Sequence, residues 1–286
     1  MFRNIHSSNP NSKDGKRALY LLGHSLAKAK KSSEAIDAFL SSLLSYPEIE
    51  DYIRFHLAKV LMDSNKNTEA LEQINILRKN FPETLLLTQS EILLAKVLEQ
   101  SGEIEDALSV LAETEKRISS FPKSFHFRSY LPEIIYLQGQ LYQKFGGINE
   151  AYNRYRLLHI DFPSSPLTRQ AKEHMNELSK VDGIIIMPLT IDEHTRRIRK
   201  LLSDVKYQQT ITEVTDLLAI KSPLPGKFYF YLAQAQKGLR KRNLANAALR
   251  KFINHYPGHS RVQEALFKIG RNFWNTGYYR DGLKYF

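Results

Sequence analysis

Apolar residues recur three and four positions apart along most of the chain, a spacing that predicts amphipathic α-helices. Leu57 and Leu61 show the pattern in one helix, and Ala70 and Ile74 show it in the next. Between them lies the polar link Ser64-Asn65-Lys66-Asn67, which favours a tight turn. The sequence therefore predicts pairs of short helices joined by polar turns.

An aromatic residue followed by a proline closes each of five predicted helix pairs. These dipeptides are Tyr46-Pro47, Phe81-Pro82, Phe121-Pro122, Phe162-Pro163 and Tyr256-Pro257. The first four prolines are separated by 35, 40 and 41 residues, so the pattern is an internal repeat. Proline cannot continue a helix and keeps the residue before it extended, which ends each unit at this point.

Small residues occupy two positions in each unit, twelve residues apart. The pairs are Gly23 and Ala35, Ala58 and Ala70, Ala95 and Ala107, Gly139 and Ala151, Ala233 and Ala245, and Gly270 and Gly282. Where two helices cross, Gly or Ala lets the backbones approach closely, so one small residue is expected in each helix. A single hairpin cannot bury its apolar faces alone, and stacking on its neighbours completes the core.

The pattern resembles the tetratricopeptide repeat, whose consensus carries a small residue, an alanine and a closing proline at fixed offsets. In the unit closed by Pro47, Gly23 and Ala35 take the small positions. Every unit lacks the Trp that the family carries at position 4 of the repeat. The resemblance implies an all-α fold, an α-α superhelix that is a TPR-like solenoid of helical hairpins. Five units and a truncated sixth cover most of residues 18–286.

The repeat is interrupted once, which predicts a division of the chain. We expect a polar N-terminal segment at 1–17, a first block of about four hairpins plus a helix at 18–180, a linker at 181–190, and a second block at 191–286 that is truncated in its last repeat. The linker contains the apolar run Ile184–Met187, for which a packed linker is favoured over a short strand without a partner.

The helix pair after the linker matches the consensus poorly. It spans about 192–204 and 207–220, and the apolar positions assigned to its first helix are Ile198, Leu201, Leu202 and Val205. Residues 181–220 are therefore either a hinge between the blocks or a divergent repeat.

The two ends of the chain indicate whether it belongs to a longer protein and in which compartment it is found. The last hairpin lacks the polar cap that a terminal repeat needs, so we expect either a fragment of a longer protein or an end covered by another domain or partner. Residues 1–16 carry no apolar core of a secretory signal, and no segment approaches the length of a membrane span. The bacterial periplasm or cell envelope is favoured if a signal peptide was removed, and the cytoplasm otherwise.

The net charge of +11 is unevenly spread, since residues 192–251 hold 13 Lys and Arg against 5 Asp and Glu. The predicted basic patch consists of Arg196, Arg197, Arg199, Lys200, Arg240, Lys241 and Arg242. Such a cluster attracts phosphate, an anionic glycan or an acidic protein, or it is only a solvated helix face. Aromatic residues do not alternate with these cations, so nucleic-acid binding is not favoured.

No motif of an active site occurs in the chain. Gly-rich phosphate loops, the nucleophile elbow and the zinc-protease helix motif are absent, so we expect no catalytic residue, no enzyme activity and no cofactor. There is no cysteine for a disulfide or a thiolate site. His255 and His259 are four residues apart, but Pro257-Gly258 breaks the helix that would aim both at a metal, so no metal site is predicted.

A binding groove is the better candidate for function. In the tetratricopeptide family the first helix of each hairpin lines a groove, and two positions four residues apart share the helix face that points into it. Those positions hold Tyr20, His24, Phe55, Lys59, Lys96, Tyr136, Gln140, Phe230, Gln234, Phe267 and Arg271. An aromatic row beside a polar, partly basic row suits an extended peptide or a glycan strand. The alternative is that the rings only seal one hairpin against the next.

Two functions fit these features. Residues 46–58 resemble the helical superstructure of soluble lytic murein transglycosylases, which implies the noncatalytic part of such an enzyme and peptidoglycan as an alternative partner. No Glu-Ser or Gly-Leu-Met-Gln element of their catalytic domain occurs here. The other function is a general adaptor that assembles a cytoplasmic or envelope protein complex. Both are noncatalytic scaffolds for a protein or peptide partner.

Overall fold

The computed structural model describes residues 1–122, 126–181 and 187–286. Within them the chain forms sixteen α-helices and no strand, so the predicted all-α fold of helical hairpins is confirmed. The helices are α1 Phe2–Ser8, α2 Lys13–Lys28, α3 Ser32–Ser45, α4 Glu50–Asp63, α5 Asn67–Asn80, α6 Leu87–Ser101, α7 Ile104–Ser120, α8 Leu131–Lys144, α9 Ile148–Asp161, α10 Leu167–Leu178, α11 Ile191–Ser203, α12 Tyr207–Ile220, α13 Lys227–Gly238, α14 Arg242–His255, α15 Val262–Trp274 and α16 Tyr279–Leu283.

Contacts divide the chain into two compact units, Met1–Ala151 and Tyr152–Phe286, and the division falls within α9. In the first unit α2 pairs with α3, α4 with α5, and α6 with α7; in the second, α11 pairs with α12, α13 with α14, and α15 with α16. The second helix of one hairpin packs on the first helix of the next, as α3 does on α4 and α14 does on α15. The segment 1–17 contains α1 and the first residues of α2.

The linker predicted at 181–190 stays a prediction. Most of its apolar run Ile184–Met187 lies outside the described residues, so neither a packed linker nor a short strand is tested there.

The small residues lie at the helix crossings, where the sequence places them. Ala35 and Ala70 are fully buried. At Gly23 in α2, an added Cβ would lie 2.8 Å from the ring of Phe39 in α3, which is itself fully buried. The absence of a side chain at Gly23 therefore allows the phenylalanine to pack against the helix backbone.

Each turn inside a hairpin contains a residue in the left-handed backbone region. These residues are Lys30, Asn65, Gly102, Gly146, Val205, Arg240 and Gly277, with φ between 57° and 86°. Their recurrence shows that α11 and α12 form the same kind of hairpin as the other pairs. Val205 is exposed in this turn and α11 ends at Ser203, so the assignment of Val205 to the apolar face of α11 is wrong.

Helix α11 begins at a capping box. The Thr190 hydroxyl accepts a hydrogen bond from the Glu193 backbone N–H, and the Glu193 carboxylate accepts one from the Thr190 N–H. Arg156 of α9 donates to the same carboxylate at 2.8 Å and to the carbonyl oxygens of Met187 and Pro188. Burial alone would raise the pKa of Glu193, but the hydrogen bonds from Arg156 and Thr190 lower it to about 2. This arrangement fixes the chain that leads into α11.

The α13–α14 hairpin supplies the centre of the core in the second unit. Phe228, Tyr229 and Phe252 are almost completely buried there, and the Tyr256 hydroxyl donates to the Leu224 carbonyl oxygen at 2.7 Å. Aromatic packing of this kind makes the hairpin a rigid support for the exposed face of α13.

Candidate functional site

The predicted groove residues of α2 are engaged in packing. The rings of His24 and His56 lie 4.0 Å apart between centroids, and Tyr20 contacts His24 at 4.6 Å and the Phe39 ring at 6.1 Å. Burial, followed by the charges of His24 and Lys59, lowers the pKa of His56 to about 3. At this end of the chain the aromatic row seals neighbouring helices, which is the alternative that the sequence left open.

The remaining predicted residues of the first unit divide between exposed and engaged positions. Phe55 is half-buried against His56, at 5.1 Å between ring centroids, while Lys59 is exposed. Lys96 forms an ion pair with Glu133 at 2.7 Å. Tyr136 and Gln140 of α8 are both half-buried.

The predicted residues of the second unit do converge. Phe230, Gln234, Phe267 and Arg271 line one cavity of about 340 Å³ between α13 and α15. Phe230 is only 8% exposed and contacts Phe252 of α14 edge to face, whereas Phe267 is 53% exposed. The cavity therefore has a buried aromatic floor and an exposed aromatic wall, with polar side chains one helical turn away on each helix.

Several charged residues that the groove prediction did not include also line this cavity. They are Lys227 and Lys237 on α13, and Arg261, Glu264 and Lys268 at the start and along α15. Lys227, Lys237, Glu264 and Lys268 each lie three residues from a predicted groove residue on the same helix, and this spacing is the signal that identifies them. Arg261 lies outside this spacing and is identified only by the structure. Arg261 forms a two-pronged ion pair with Glu264, with Nε–Oε2 at 2.7 Å and Nη2–Oε1 at 3.2 Å.

The predicted basic patch does not form one surface of free cations. Arg197 is mostly buried, pairs through Nε with Glu213 at 2.8 Å, and donates to the His159 carbonyl oxygen. Arg196 lies 3.7 Å from Asp161, while Arg199 and Lys200 are exposed. Arg197 therefore has a structural role in joining α11 to α9 and α12.

The other half of that patch lies at the turn of the α13–α14 hairpin. Arg240, Lys241 and Arg242 line a shallow cavity of about 270 Å³ together with Leu244 and Tyr278. Arg240 and Lys241 are exposed, and the Nε of Arg242 is buried without a hydrogen-bond partner among the described residues.

A second cavity of the second unit contains a cluster of titratable groups. It measures about 490 Å³ and is lined in part by His159, His194, Arg197 and Glu213. His194 Nδ1 lies 2.7 Å from Glu213 Oε1. Burial would raise the pKa of Glu213, but hydrogen bonds from His194 and Arg197 lower it below its usual value. The Glu213 carboxylate of α12 thus pairs with two side chains of α11 and joins the two helices.

Two further observations concern metals and membranes. Among the described residues, no group of three or more His, Asp or Glu side chains is arranged to hold a metal ion. Nor does any described helix combine the length and the apolar composition needed to cross a membrane.

The comparisons with known proteins agree with the repeat. The family model of the tetratricopeptide repeat matches residues 228–259, which span the α13–α14 hairpin. No curated protein matches the chain.

Similar solved structures include the quorum sensor NprR from B. thuringiensis, with 15% identity, 95% of this chain and 74% of that chain covered, and a TM-score of 0.48. A tetratricopeptide repeat protein from Parabacteroides merdae has 12% sequence identity, with 94% of this chain and 90% of that chain covered, and a TM-score of 0.45. The TPR2AB domain of yeast Sti1 in its pHSP90 complex has 15% sequence identity, with 82% of this chain and 87% of that chain covered, and a TM-score of 0.40. Because these TM-scores lie below 0.5, the fold assignment rests on the hairpins of the chain itself and on the matched repeat.

Proposed function

We propose that this chain is a noncatalytic scaffold that binds a segment of a protein partner, and that the cavity between α13 and α15 is its main contact site. The observation that carries the proposal is the convergence of Phe230, Gln234, Phe267 and Arg271 on one open cavity. The cavity lies beside the hairpin that matches the tetratricopeptide family, whose repeats bind proteins and peptides.

The exposed ring of Phe267 gives this proposal its physical basis. A large aromatic side chain that is half exposed on a helix held by a rigid hairpin can bury apolar surface on a partner without first being ordered. Phe230 beneath it is held in place by Phe252, so the floor of the cavity exists before binding. Gln234 supplies a hydrogen-bonding side chain of the kind that an extended backbone needs.

The proposal is tested by selecting, from a displayed library of random peptides, those that bind the full chain. We expect a converging set of peptides that binds wild type, and at least about tenfold weaker binding to Phe267→Ala, because an aromatic anchor at the centre of an interface carries much of its energy. Phe145→Ala is the matched control, since Phe145 is 56% exposed but is not among the residues that line the cavity. Failure to select any converging peptide, or equal binding by both variants, would contradict the proposal.

The narrower hypothesis of a peptidoglycan-linked scaffold in the cell envelope rests on the repeat style of residues 46–58 alone. Neither the matched repeat nor the similar structures bear on it, so it remains a prediction. Co-sedimentation of the chain with purified murein sacculi tests it, and the chain staying in the supernatant would count against it. A general adaptor, in the cytoplasm or the envelope, needs no such binding.

A further inference from the structure

The cavity between α13 and α15 carries more positive charge than its own residues neutralise. Its lining includes five cationic side chains and one carboxylate. That carboxylate, Glu264, already pairs with Arg261 at 2.7 Å and lies 3.4 Å from Lys268. Lys237 and Arg271 have no acidic partner in the part of the chain that the structure describes.

The unneutralised charge is concentrated at one end of the cavity. Lys237 lies in the last turn of α13 and Arg271 in the last turn of α15. Burial, followed by the positive charges of Arg271, Lys268 and Arg242, lowers the pKa of Lys237. Like charges held this close repel each other, so an anion placed between them would relieve an unfavourable interaction.

The opposite end holds a second pair of cations, which are already partly neutralised. Arg261 pairs with Glu264, and Lys227 lies 3.8 Å from the exposed Asp192 carboxylate, so a partner's carboxylate would replace or share that longer contact. Arg261 precedes α15 and covers the ring of Phe230 in the first turn of α13, where Lys227 also lies. The two helices therefore run in the same direction along the cavity. Lys227 and Lys237 are ten residues apart, so the two cationic ends are separated by about 15 Å at the rise of an α-helix. Phe230, Phe267 and Gln234 lie between the ends.

We infer that this cavity binds an extended acidic peptide segment in which carboxylates flank an apolar residue. The inference rests on the proposed scaffold function and names the chemistry of its partner. A segment of about five extended residues spans about 16 Å, which matches the separation of the cationic ends. Its central apolar side chain contacts Phe230 and Phe267, and its acidic residues reach Lys237 and Arg271 at one end and Lys227 at the other.

The spacing of the cations distinguishes this partner from a single compact anion. One phosphate group carries two negative charges at a single point, and it would neutralise only the end at Lys237 and Arg271. Two groups of carboxylates on one extended peptide can pair with the cations at both ends of the cavity, and the apolar residue between them packs on the aromatic floor.

Fluorescence anisotropy with labelled synthetic peptides tests the inference. The probe is Glu-Glu-Ser-Phe-Ser-Glu-Glu, and its neutral counterpart is Gln-Gln-Ser-Phe-Ser-Gln-Gln. Because charged pairs at an interface act within a Debye length, we expect the neutral peptide to bind at least about tenfold more weakly, and binding of the acidic peptide to weaken as NaCl is raised. Phe-Ser-Ser-Glu-Glu-Glu-Glu, with the same composition but one block of acids, is expected to bind more weakly than the spaced probe.

The matched protein variants are Lys237→Gln/Arg271→Gln and Lys251→Gln/Arg280→Gln. Both remove two positive charges from the second unit, and Arg280, like Lys237 and Arg271, lies in the last turn of its helix, where a cation interacts favourably with the helix C-terminus. Only the first pair is expected to lose acidic-peptide binding, by at least about tenfold for two interfacial charges. Circular dichroism establishes that both variants stay folded.

Four results would overturn the inference. They are no binding of the spaced acidic probe, equal binding of the neutral peptide, equal loss in both double variants, or tighter binding of a peptide with one phosphoserine in place of all the acidic residues. The selection of random peptides distinguishes failure of the acidic-partner inference from failure of the proposed scaffold function. Converging peptides that depend on Phe267 but carry no acidic residues would leave the scaffold standing and reject the acidic partner.

Discussion

The guanidinium carbon of Arg261 lies 3.7 Å from the centroid of the Phe230 ring. This distance is well within the range of a cation–π contact. Glu264 holds the same guanidinium with two hydrogen bonds from the next turn of α15. The contact therefore joins the first turn of α13 to the start of α15 and closes one end of the candidate site.

Replacement of Arg261 by lysine tests this contact. The lysine keeps the charge but loses the planar fork and the stacking, so the free energy of unfolding is expected to fall by about 1 kcal/mol. Urea unfolding followed by circular dichroism measures it. Arg280→Lys is the control because Arg280 is exposed on α16, and its stability is expected to stay at the wild-type value. An unchanged free energy for Arg261→Lys would show that the contact does not stabilise the second unit.

The turn at Val205 predicts a stabilising substitution. Val205 has φ 59° and a 63% exposed side chain, and a β-branched residue is strained in this backbone region. Val205→Gly removes the strain but also raises the conformational entropy of the unfolded chain. The net effect is expected to be a rise in the free energy of unfolding by about 0.5–1 kcal/mol. Asn65→Gly is the matched control, since asparagine tolerates φ 57° at the equivalent turn and little should change. A less stable Val205→Gly would be evidence against the turn as described.

The crossing of α2 and α3 predicts a destabilising substitution at a glycine. In Gly23→Ala the new methyl group would lie within 3.0 Å of three atoms of the fully buried Phe39 ring. The strain is expected to outweigh the gain in helix propensity and to lower the free energy of unfolding by about 1–2 kcal/mol. In Gly258→Ala nothing lies within 4 Å of the added carbon, so this control should be neutral. Thermal melting of both variants compares them, and equal melting temperatures would contradict the packing at Gly23.

The pair of histidines in the first unit predicts acid sensitivity. Burial lowers the pKa of His56 to about 3 and also lowers that of His24, so the unfolded chain binds more protons than the native state below pH 6.5. Stability is therefore retained above that pH and lost as the pH falls toward 3. Between pH 7.5 and 5, wild type should lose about 1–2 kcal/mol more than His56→Gln in urea unfolding. Parallel losses in the two proteins would show that His56 does not carry the pH dependence.

The sequence predicts the hairpins well because local physics determines them. The polar links, the closing prolines and the small residues at Gly23 and Ala35 each act within one hairpin, and the structure has them where the repeat requires. Val205 was misassigned because an apolar residue in a turn looks like one more position of the helix face.

The candidate site was harder to predict for a different reason. Phe267 and Arg271 follow from the repeat, but their role depends on whether neighbouring rings are covered, which is a matter of tertiary packing. Tyr20 has the same repeat position as Phe267 and is engaged with His24 and Phe39. Likewise Arg197 appears as a free cation in the sequence, and only the structure pairs it with Glu213.

Photo-cross-linking locates the peptide-binding site on the chain. The spaced acidic peptide carries a photoreactive residue in place of its phenylalanine, and mass spectrometry locates the adducts on the full chain. We expect adducts within Lys227–Gly238 and Val262–Trp274, and their loss in Lys237→Gln/Arg271→Gln. Adducts on the first unit or at the turn containing Arg240, with none on α13 and α15, would contradict it.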